Sequence, residues 1–547
     1  MDTWLCDIVI DGGGGCGKTM LINYFLVPIC RAFFGTHGVV LGAPSNKAAR
    51  GIHGKTMHSL LGFTPDSSLR TSALALTTQK RIKLERTFLH AGAVLEDEYS
   101  MLAGTMNHAA SLLATYAREA KFRLRREDYA MPRERYGRVA LLAWAGDHLQ
   151  LPPVPKRNSL LAPLENTLQE HRVGASIFRN AHYVFQLQQM MRFNDPTLVR
   201  ILMTMRTLGG KVLSQSDWQA LLDTEASDQS CSAEKLALVK GWYHTCYVWS
   251  VVAMASFLEA RESARRAKAT LFYMQAVDML VNFSAPTPTA AQDIFYALLQ
   301  IPSLTKTKGL PAFCLLHIGM EIRLLTTMEM PYAVRDATAT VLEIQWAEHD
   351  AMAQQYMSST EQPAGILLEQ LPLAVLIRLH NCNHVFLPCE PCSNCAAFCS
   401  FCLDCMANQE ELKGVFAVQP ISKTWKYDGP QLNGQCIDVA RRQLPLGPAK
   451  VLPLYSMQGM TAEPGLVAHW VLPPRLDSEI KWLICYVMLS RVPSLKQLIS
   501  IGLSDKIRQI MEGGPPEGVV QCFNILFADK IEKTHAAALK AKERLGW

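Results

Sequence analysis

The sequence predicts an α/β protein built on a parallel β-sheet, and two observations carry this prediction. Short apolar runs of strand length recur at residues 6–10, 39–43, 93–98 and 139–145, and stretches with helical periodicity lie between them. Glycines or acidic residues end or directly follow three of these runs. Because strands that alternate with helices form parallel sheets, we expect these polar residues to meet at the carboxyl edge of one sheet.

The composition is that of an ordinary globular protein. Of the 547 residues, 49% are hydrophobic and 19% are charged, which excludes a disordered chain, a collagen-like fibre and a coiled coil. The net charge, 54 − 48 = +6, permits nucleic-acid binding but does not argue for it. The first residues lack the pattern of a signal peptide, so we expect an intracellular protein whose 16 cysteines are thiols or metal ligands. The least charged apolar window, 246–258, is too short to span a bilayer, and we expect no membrane association.

The first element of the predicted sheet leads into a phosphate-binding loop. Residues 12–19 read GGGGCGKT, which fits G-x-x-x-x-G-K-[ST] between a strand and a helix, although a chance glycine turn is the alternative interpretation. Glycines such as Gly12, Gly15 and Gly17 let backbone N–H groups surround phosphates. Lys18 can reach the β- and γ-phosphates, and Thr19 can bind Mg²⁺. The loop therefore predicts a nucleoside triphosphate with Mg²⁺ as ligand.

Two further loops follow later strands and add acidic and amide side chains. Asp97 is a candidate Mg²⁺ ligand and Glu98 a candidate base that orients the attacking water, although acidic residues at a strand end are often merely solvated. In the loop GDHLQLPPV at 146–154, Asp147 and Gln150 are expected near the γ-phosphate. The three loops together predict a site that hydrolyses a nucleoside triphosphate.

The remaining chain predicts a second α/β region that begins near residue 186 and resumes near 436. Between them, residues 315–344 alternate and are rich in β-forming residues, which predicts a small β module. Residues 118–138 are rich in basic side chains and form either a solvated insertion or a phosphate-facing loop.

Eight segments, taken in order, resemble the superfamily-one DNA helicases and in particular the Pif-type (petite integration frequency) helicases. They extend from residue 8 to about residue 500 and are GGGGCGKT at 12–19, APSNKAARGIHGKTMHS at 43–59, LEDEYSM at 95–101, GDHLQLPPV at 146–154, LQQMMRFNDPTLVRILMTMR at 187–206, GMEIRLLTT at 319–327, QLPLGPAKVLPLYSMQGMT at 443–461 and YVMLSRV at 486–492. The resemblance implies two RecA-like P-loop NTPase domains, the first at 1–185 with the ATP site and the second at 186–314 and 431–547. It also implies a β-rich, SH3-like insertion at 315–430.

The resemblance assigns a role to each matched position. Lys18, Thr19 and Asp97 would bind ATP and Mg²⁺, and Gln458 and Gly459 would link the second domain to nucleotide and DNA. The residues implied in hydrolysis are Lys18, Asp97, Glu98, Gln150, Arg192 and Arg491, the two arginines reaching the γ-phosphate from the second domain. The residues implied near single-stranded DNA are Ser45, Lys47, Thr56 and His58, although His58 fits equally well as a packing histidine.

The function implied is that of an ATP-dependent DNA helicase. It would act as a monomer on single-stranded and forked DNA, moving 5′ to 3′, in repair, recombination or telomere maintenance, in the nucleus or in the mitochondrion. Two alternatives stay open: a helicase domain derived from a mobile element, and a nucleic-acid-binding protein whose ATPase no longer drives unwinding. The sequence departs from the family at three places. Phe193 and the run Tyr455-Ser456-Met457 lie in segments implied in DNA contact and its coupling to ATP, and the segment before Gly12 is shorter than the family segment that contacts adenine.

A cluster of cysteines lies in the predicted insertion. Thiolates two residues apart can hold a tetrahedral Zn²⁺, the spacing also resembles that of an iron–sulfur site, and unmetallated thiols are the third possibility. The candidate ligands are Cys389, Cys392, Cys395, Cys399, Cys402 and Cys405, with Cys382 and His384 beside them.

Overall fold

The computed structural model divides the chain into two compact units. The first consists of residues 1–240 and 454–547, and the second of residues 241–453. The residues that the structure describes are 5–63, 77–122, 135–165, 167–226, 241–283, 287–347, 349–358, 363–387, 409–432 and 434–546. The predicted domain boundaries at 185, 314 and 430 stay predictions.

Strands occur in both units. They are β1 Cys6–Gly12, β2 Val39–Ala43, β3 Lys55–Thr56, β4 Ala93–Glu96, β5 Leu141–Gly146, β6 Tyr183–Leu187, β7 Tyr243–Cys246, β8 Leu271–Gln275, β9 Val277–Val281, β10 Phe313–Leu316, β11 Glu321–Leu324, β12 Thr338–Gln345, β13 Gly365–Leu367, β14 Ala374–Leu379, β15 Val415–Val418, β16 Ile421–Tyr427, β17 Ile437–Gln443, β18 Leu446–Pro448, β19 Val451–Pro453, β20 Leu466–His469 and β21 Leu498–Ile501.

Helices accompany them along the chain. They are α1 Lys18–Leu21, α2 Val27–Phe34, α3 Asn46–Gly51, α4 Met57–Leu61, α5 Thr78–Phe88, α6 Gly104–Phe122, α7 Gln169–Arg179, α8 Pro196–Met205, α9 Gln215–Leu222, α10 Trp249–Ala267, α11 Pro288–Leu299, α12 Ala351–Ser358, α13 Leu454–Met457, α14 Ser478–Leu489, α15 Asp505–Glu512 and α16 Glu517–Leu545.

The main sheet of the first unit confirms the predicted fold class. It has six strands in the order β3-β2-β4-β5-β1-β6, and every neighbouring pair is parallel. The four apolar runs of the sequence form β1, β2, β4 and β5, which occupy the middle of the sheet. The two edge strands were not predicted, because β3 has only two residues and β6 is largely exposed. A period of two and a high content of apolar residues are the signals of a strand, and both are weak there.

Apolar cores cover both faces of this sheet, which is why its central strands read as continuous apolar runs. On β1, Val9 belongs to the core on one face, while Ile8 and Ile10 belong to the core on the other. The first core contains residues of α6, α7 and α16, among them Phe178 and Phe527. Parallel strands that are buried on both faces show this composition.

The helix after the phosphate loop is longer than the predicted stretch at 20–26. Helices α1 and α2 are joined by a π-helical turn at Ile22–Leu26, so the helical path extends from Lys18 to Phe34. Pro28 stands in the first turn of α2 and has no N–H to donate to the preceding turn. The hydrogen-bond pattern changes from π-helical to α-helical just before this proline.

The second unit is mainly antiparallel. Its largest sheet has five strands in the order β15-β14-β12-β11-β18, and it contains the segment for which the sequence predicted a β module. Strands β16, β17 and β9 form a second antiparallel sheet, and β10, β8 and β13 form a third. The SH3-like character of the insertion stays a prediction. Within the described residues, no helix is both long and apolar enough to cross a membrane.

The predicted cysteine cluster can be followed only at its start. Cys382 is half-buried, and His384 stacks on Tyr332 with ring centroids 4.2 Å apart. The six cysteines from Cys389 to Cys405 lie outside the described residues, so the zinc site stays a prediction.

Candidate nucleotide-binding site

The carboxyl ends of three adjacent strands bring the predicted loops together. β4, β5 and β1 are neighbours in the sheet, and the loops that follow them carry the acidic pair, the residues 146–154 and the phosphate loop. Because these strands are parallel, their following loops leave from the same edge. Residues separated by up to about 130 positions in the sequence therefore meet.

The phosphate loop is already closed around its lysine. Lys18 Nζ donates to the carbonyl oxygens of Gly12 at 2.7 Å and Gly13 at 3.1 Å. Gly15 has φ +83°, and a Cβ at this position would lie 2.6 Å from the Cβ of Arg192. Only glycine fits there, because a side chain would be strained by φ and would collide with the arginine. The ammonium group is thus held at the loop where the phosphates are expected.

Thr19 and Asp97, the predicted Mg²⁺ ligands, are hydrogen-bonded to each other. Thr19 Oγ1 donates to Asp97 Oδ2 at 3.1 Å, and the backbone N–H of Glu98 donates to Asp97 Oδ1 at 2.9 Å. A hydroxyl and a carboxylate are oxygen ligands of the kind that Mg²⁺ prefers. The two side chains fit this ion because their oxygens already face one another.

Glu98, the predicted general base, is buried and has an unusual backbone conformation. Its backbone lies in the left-handed region at φ 59°, a strained conformation for this residue type that is common at functional sites. Its Oε2 is buried without a hydrogen-bond partner among the described residues. Burial raises the pKa of Glu98 to about 7, and the negative charge of Asp97 adds to this effect. A buried carboxylate with a free oxygen and a pKa near neutrality suits proton abstraction from water.

Arg192 and Arg491 both lie at the phosphate loop. Arg491 is 1% exposed, and a Cβ on Gly14 would be 3.4 Å from its Nη2. Arg491 Nη2 donates to Ser490 Oγ at 2.6 Å, and Arg192 Nη1 donates to the carbonyl of Ser490 at 2.9 Å. Burial, together with the charge of Arg491, lowers the pKa of Arg192 to about 10, and burial also lowers the pKa of Arg491. Arginine side chains stay protonated in proteins, so both groups are treated as cations. Two cations converge on the loop from distant parts of the sequence.

The predicted γ-phosphate sensor is joined to the predicted coupling residue. Gln458 Nε2 donates to Gln150 Oε1 at 3.2 Å, and the next residue, Gly459, has φ +77°. A Cβ on Gly459 would lie 3.2 Å from Oε1 of Glu98. The Gln-Gly pair therefore lies beside both the predicted base and the predicted sensor, and glycine is required for this close approach.

Arg206 and Tyr486 belong to the site although no role was predicted for them. Arg206 Nη1 lies 3.1 Å from each oxygen of Asp147 and 2.6 Å from the hydroxyl of Tyr486. A Cβ on Gly13 would be 3.4 Å from the same Nη1. Burial acts to raise the pKa of Asp147, but Arg206 and Lys18 outweigh it, and the pKa is lowered. Both missed residues lie in segments that resemble the helicases, Arg206 at the end of 187–206 and Tyr486 at the start of 486–492.

Asp11, directly before the loop, was not predicted either. Its Oδ1 accepts from the hydroxyl of Tyr99 at 2.6 Å and lies 3.0 Å from Nδ1 of His148. The ring of His148 stacks on Phe523 of α16 with centroids 4.2 Å apart. Asp11, Asp147 and His148 lie close enough to hold a cation, but the contacts of both carboxylates are already supplied by protein groups. The network anchors the start of the phosphate loop.

Of the four residues predicted near DNA, which we call the α3–α4 quartet, Ser45, Lys47 and Thr56 have structural partners. Ser45 and Thr56 are the N-caps of α3 and α4, each accepting from a backbone N–H at 3.2 Å. Lys47 Nζ contacts the sulfur of Met460 at 2.5 Å. Burial lowers the pKa of His58, which keeps this imidazole neutral at pH 7. Their role at DNA stays a prediction, as do the roles of the other site residues.

Comparison with known proteins identifies the fold. A family model described as an AAA domain matches residues 6–156, which include the phosphate loop and the acidic pair. None of the curated proteins compared with the sequence matches it. Solved structures, in contrast, match nearly the whole chain.

Three of these structures match the chain with similar sequence identity, TM-score and coverage. The crystal structure of Pif1 helicase from Candida albicans is 17% identical with a TM-score of 0.52, and the match covers 95% of this chain and 96% of that chain. The Bacteroides Pif1 helicase in complex with ADP-AlF3 and ssDNA is 15% identical with a TM-score of 0.55, covering 97% and 95%. A structure of two coordinating Pif1 helicases at forked dsDNA is 15% identical with a TM-score of 0.54, covering 96% and 94%. These identities establish the fold, and the resemblance predicted from the eight segments is confirmed at that level: this chain has the fold of the Pif1 helicases.

Proposed function

We propose that this protein is an ATP-driven DNA helicase. The observation that supports this most strongly is the meeting of Lys18, Glu98 and Arg491 at one phosphate loop. A cation for the phosphates, a base with a free oxygen and a second cation from a distant segment are the parts that hydrolysis of a triphosphate requires.

The chemistry follows from these positions. Glu98 accepts a proton from a water molecule. The oxygen of this water forms a bond to the γ-phosphorus, while the bond between the γ-phosphorus and the bridging oxygen breaks and ADP leaves. Lys18 and the two arginines compensate the negative charge that develops on the phosphoryl oxygens. Mg²⁺ held by Thr19 and Asp97 would neutralise charge on the β- and γ-phosphates.

We propose that hydrolysis is coupled to movement along DNA, because some of the residues at the phosphate loop come from later parts of the chain. Arg192, Gln458 and Arg491 follow the first six strands in sequence, yet all of them lie beside residues of the first three loops. Loss of the γ-phosphate would remove a shared partner of both groups. Loss of contacts to the γ-phosphate is a common way in which hydrolysis changes the conformation of a motor protein and its affinity for the polymer on which it moves.

The substrate we propose is single-stranded and forked DNA, with movement 5′ to 3′ in repair, recombination or telomere maintenance. Support comes from the eight matching segments and from two similar structures, one of a Pif1 helicase in complex with ssDNA and one of two Pif1 helicases unwinding forked dsDNA.

The test compares ATP turnover with and without single-stranded DNA, followed by single-turnover unwinding of duplexes that carry a 5′ or a 3′ tail. We expect single strand to stimulate turnover and only the 5′-tailed duplex to be separated. The Glu98→Gln variant is the matched control, since it should bind ATP and separate neither duplex. Turnover that ignores single strand, with no separation of either duplex, would favour the binding-protein alternative and refute the helicase proposal.

A further inference from the structure

A groove in the second unit contains basic side chains that the proposed ATP site does not use. Its volume is about 720 Å³, and it lies between the C-terminal half of α10, strand β8 and residues 363–365 at the start of β13. The lining residues, in the part of the chain that the structure describes, all belong to the second unit. Ligand-binding clefts have volumes of about 300–1,000 Å³, so the groove has the size of a binding site.

Three basic residues follow one face of α10 into this groove. Arg261, Arg265 and Lys268 are separated by four and then three positions, which places them on the same face of a helix. At a rise of 1.5 Å per residue, their Cα atoms lie about 6 and 4.5 Å apart along the axis. All three are exposed and all three line the groove. A ligand in the groove can therefore reach a continuous row of cations.

Acidic groups balance only part of this charge. Glu262 is the one acidic residue among the described lining residues, and it accepts from Nε of Arg265 at 2.8 Å and from Nη2 at 2.7 Å. Both side chains of this pair are exposed, and such pairs are weak, so an anionic ligand can replace the carboxylate. Arg261 and Lys268 form no ion pair with a described residue. Two positive charges of the row are thus uncompensated.

The other walls of the groove are partly apolar and include an aromatic ring. Leu258 of α10, Tyr273 of β8 and Pro363 all line it, and Tyr273 is only half-buried. Sites for single-stranded nucleic acid combine a row of cations, which follows the phosphates, with aromatic side chains on which the bases stack. An acidic peptide would match the cations but would offer no planar bases to the ring. The combination therefore favours a nucleic-acid strand.

We infer that this groove is a binding site for a short stretch of single-stranded nucleic acid, whose phosphates contact Arg261, Arg265 and Lys268 and whose bases contact Tyr273. The arginines can bind phosphate through two N–H groups, and the lysine acts as a point charge. The strand is taken as DNA because the inference rests on the proposed function, to which it adds a contact within the second unit. No residue of the proposed ATP site takes part in it.

The salt dependence of DNA binding tests this inference on the full-length chain. Fluorescence anisotropy of a labelled oligothymidylate between about 50 and 200 mM NaCl gives the slope of log affinity against log salt concentration, which falls by about 0.7 for each lost phosphate contact. The variant Arg261→Gln/Lys268→Asn removes the two uncompensated cations, and we expect its slope to be smaller by about 1.4. Asparagine is chosen at 268 because this residue has φ 50°, which asparagine tolerates. Lys306→Gln/Lys423→Gln is the matched control, since it removes the same charge from exposed positions outside the groove and should keep the slope.

A cross-link locates the bound strand. Photo-cross-linking of an oligonucleotide that contains 5-iododeoxyuridine, followed by mass spectrometry of peptides, should label the peptide with Tyr273 in the unmodified chain and in the control, but not in the groove variant. Poly-glutamate should compete with this label at least about tenfold more weakly than unlabelled oligothymidylate, because it lacks bases that stack.

The inference is overturned if the slope of the groove variant is unchanged, if the peptide with Tyr273 is not labelled, or if poly-glutamate competes as well as the oligothymidylate. Neither measurement needs ATP. DNA binding with an unchanged slope would overturn this inference alone, whereas ATP turnover that ignores single strand would refute the helicase proposal and leave these measurements unaffected.

Discussion

Two groups of predicted residues in the first unit differ in how the structure uses them. On the phosphate side, Lys18 donates to carbonyls of its own loop and Thr19 donates to Asp97. The side chain of Glu98 retains a buried oxygen without a partner among the described residues. In the α3–α4 quartet, the two hydroxyls already accept backbone hydrogen bonds as helix caps. The difference teaches that Glu98, whose buried oxygen has no partner among the described residues, carries an indication of function that the two capping hydroxyls lack.

Replacing Lys18 with alanine tests the phosphate side most severely. We expect ATP turnover to fall by about 10³-fold, because the β- and γ-phosphates lose the cation that the carbonyls of Gly12 and Gly13 hold in place. Phosphate release at steady state measures this. The control is Lys496→Ala, which removes an exposed lysine of the same unit. Normal turnover in the Lys18 variant would contradict the assignment of the loop.

Replacing Glu98 with glutamine should lower turnover by about 10²- to 10³-fold while ATP stays bound. The unmodified protein should lose turnover as the pH falls through about 7, since its carboxylate takes up a proton there and can no longer accept one from water. Pre-steady-state hydrolysis from pH 5.5 to 9 measures both effects. Glutamine does not titrate, so a variant that keeps the acidic limb would show that another group is the base. Glu165→Gln, at an exposed position, should behave as the unmodified protein.

Replacing Arg491 with alanine sharpens the comparison further. We expect the turnover number to fall by about 10²-fold with little change in ATP affinity, because Arg192 remains as a second cation at the loop. Turnover and binding of a fluorescent ATP analogue separate the two effects. The exposed Arg475→Ala serves as the control. Weakened binding at an unchanged turnover number would place Arg491 outside the catalytic step.

The smallest effects are expected in the α3–α4 quartet. Ser45→Ala and Thr56→Ala should each lower the free energy of unfolding by about 1 kcal/mol, which is the usual cost of a lost N-cap. Urea denaturation measures this, and Thr56→Ser, which keeps the hydroxyl, should be close to neutral. If the alanine variants instead lose affinity for single-stranded DNA at unchanged stability, the contrast between the two groups breaks down.

Much of the first sheet was predictable because its signals are local. The apolar runs that form β1, β2, β4 and β5 are buried on both faces, and the glycines before Lys18 permit the turn that the loop needs. The edge strand β6 and the full extent of the helix after Lys18 were not predicted. Their bounds depend on packing against α16 and on the π turn before Pro28, which periodicity does not show.

The sequence by itself determined the phosphate loop, the acidic pair and the order of the eight segments, since each is a short run whose chemistry depends on neighbours in the chain. Only the tertiary structure decided that Arg206 and Tyr486 hold Asp147, because the three residues are 59 and 339 positions apart and meet through packing. The same holds for the groove beside α10, because its cations belong to one helix whereas its other walls come from β8 and from residues 363–365. The chemistry of a short motif depends on consecutive residues and can be predicted from the sequence. Burial and the pairing of charges that are distant in the sequence arise only when the chain has folded.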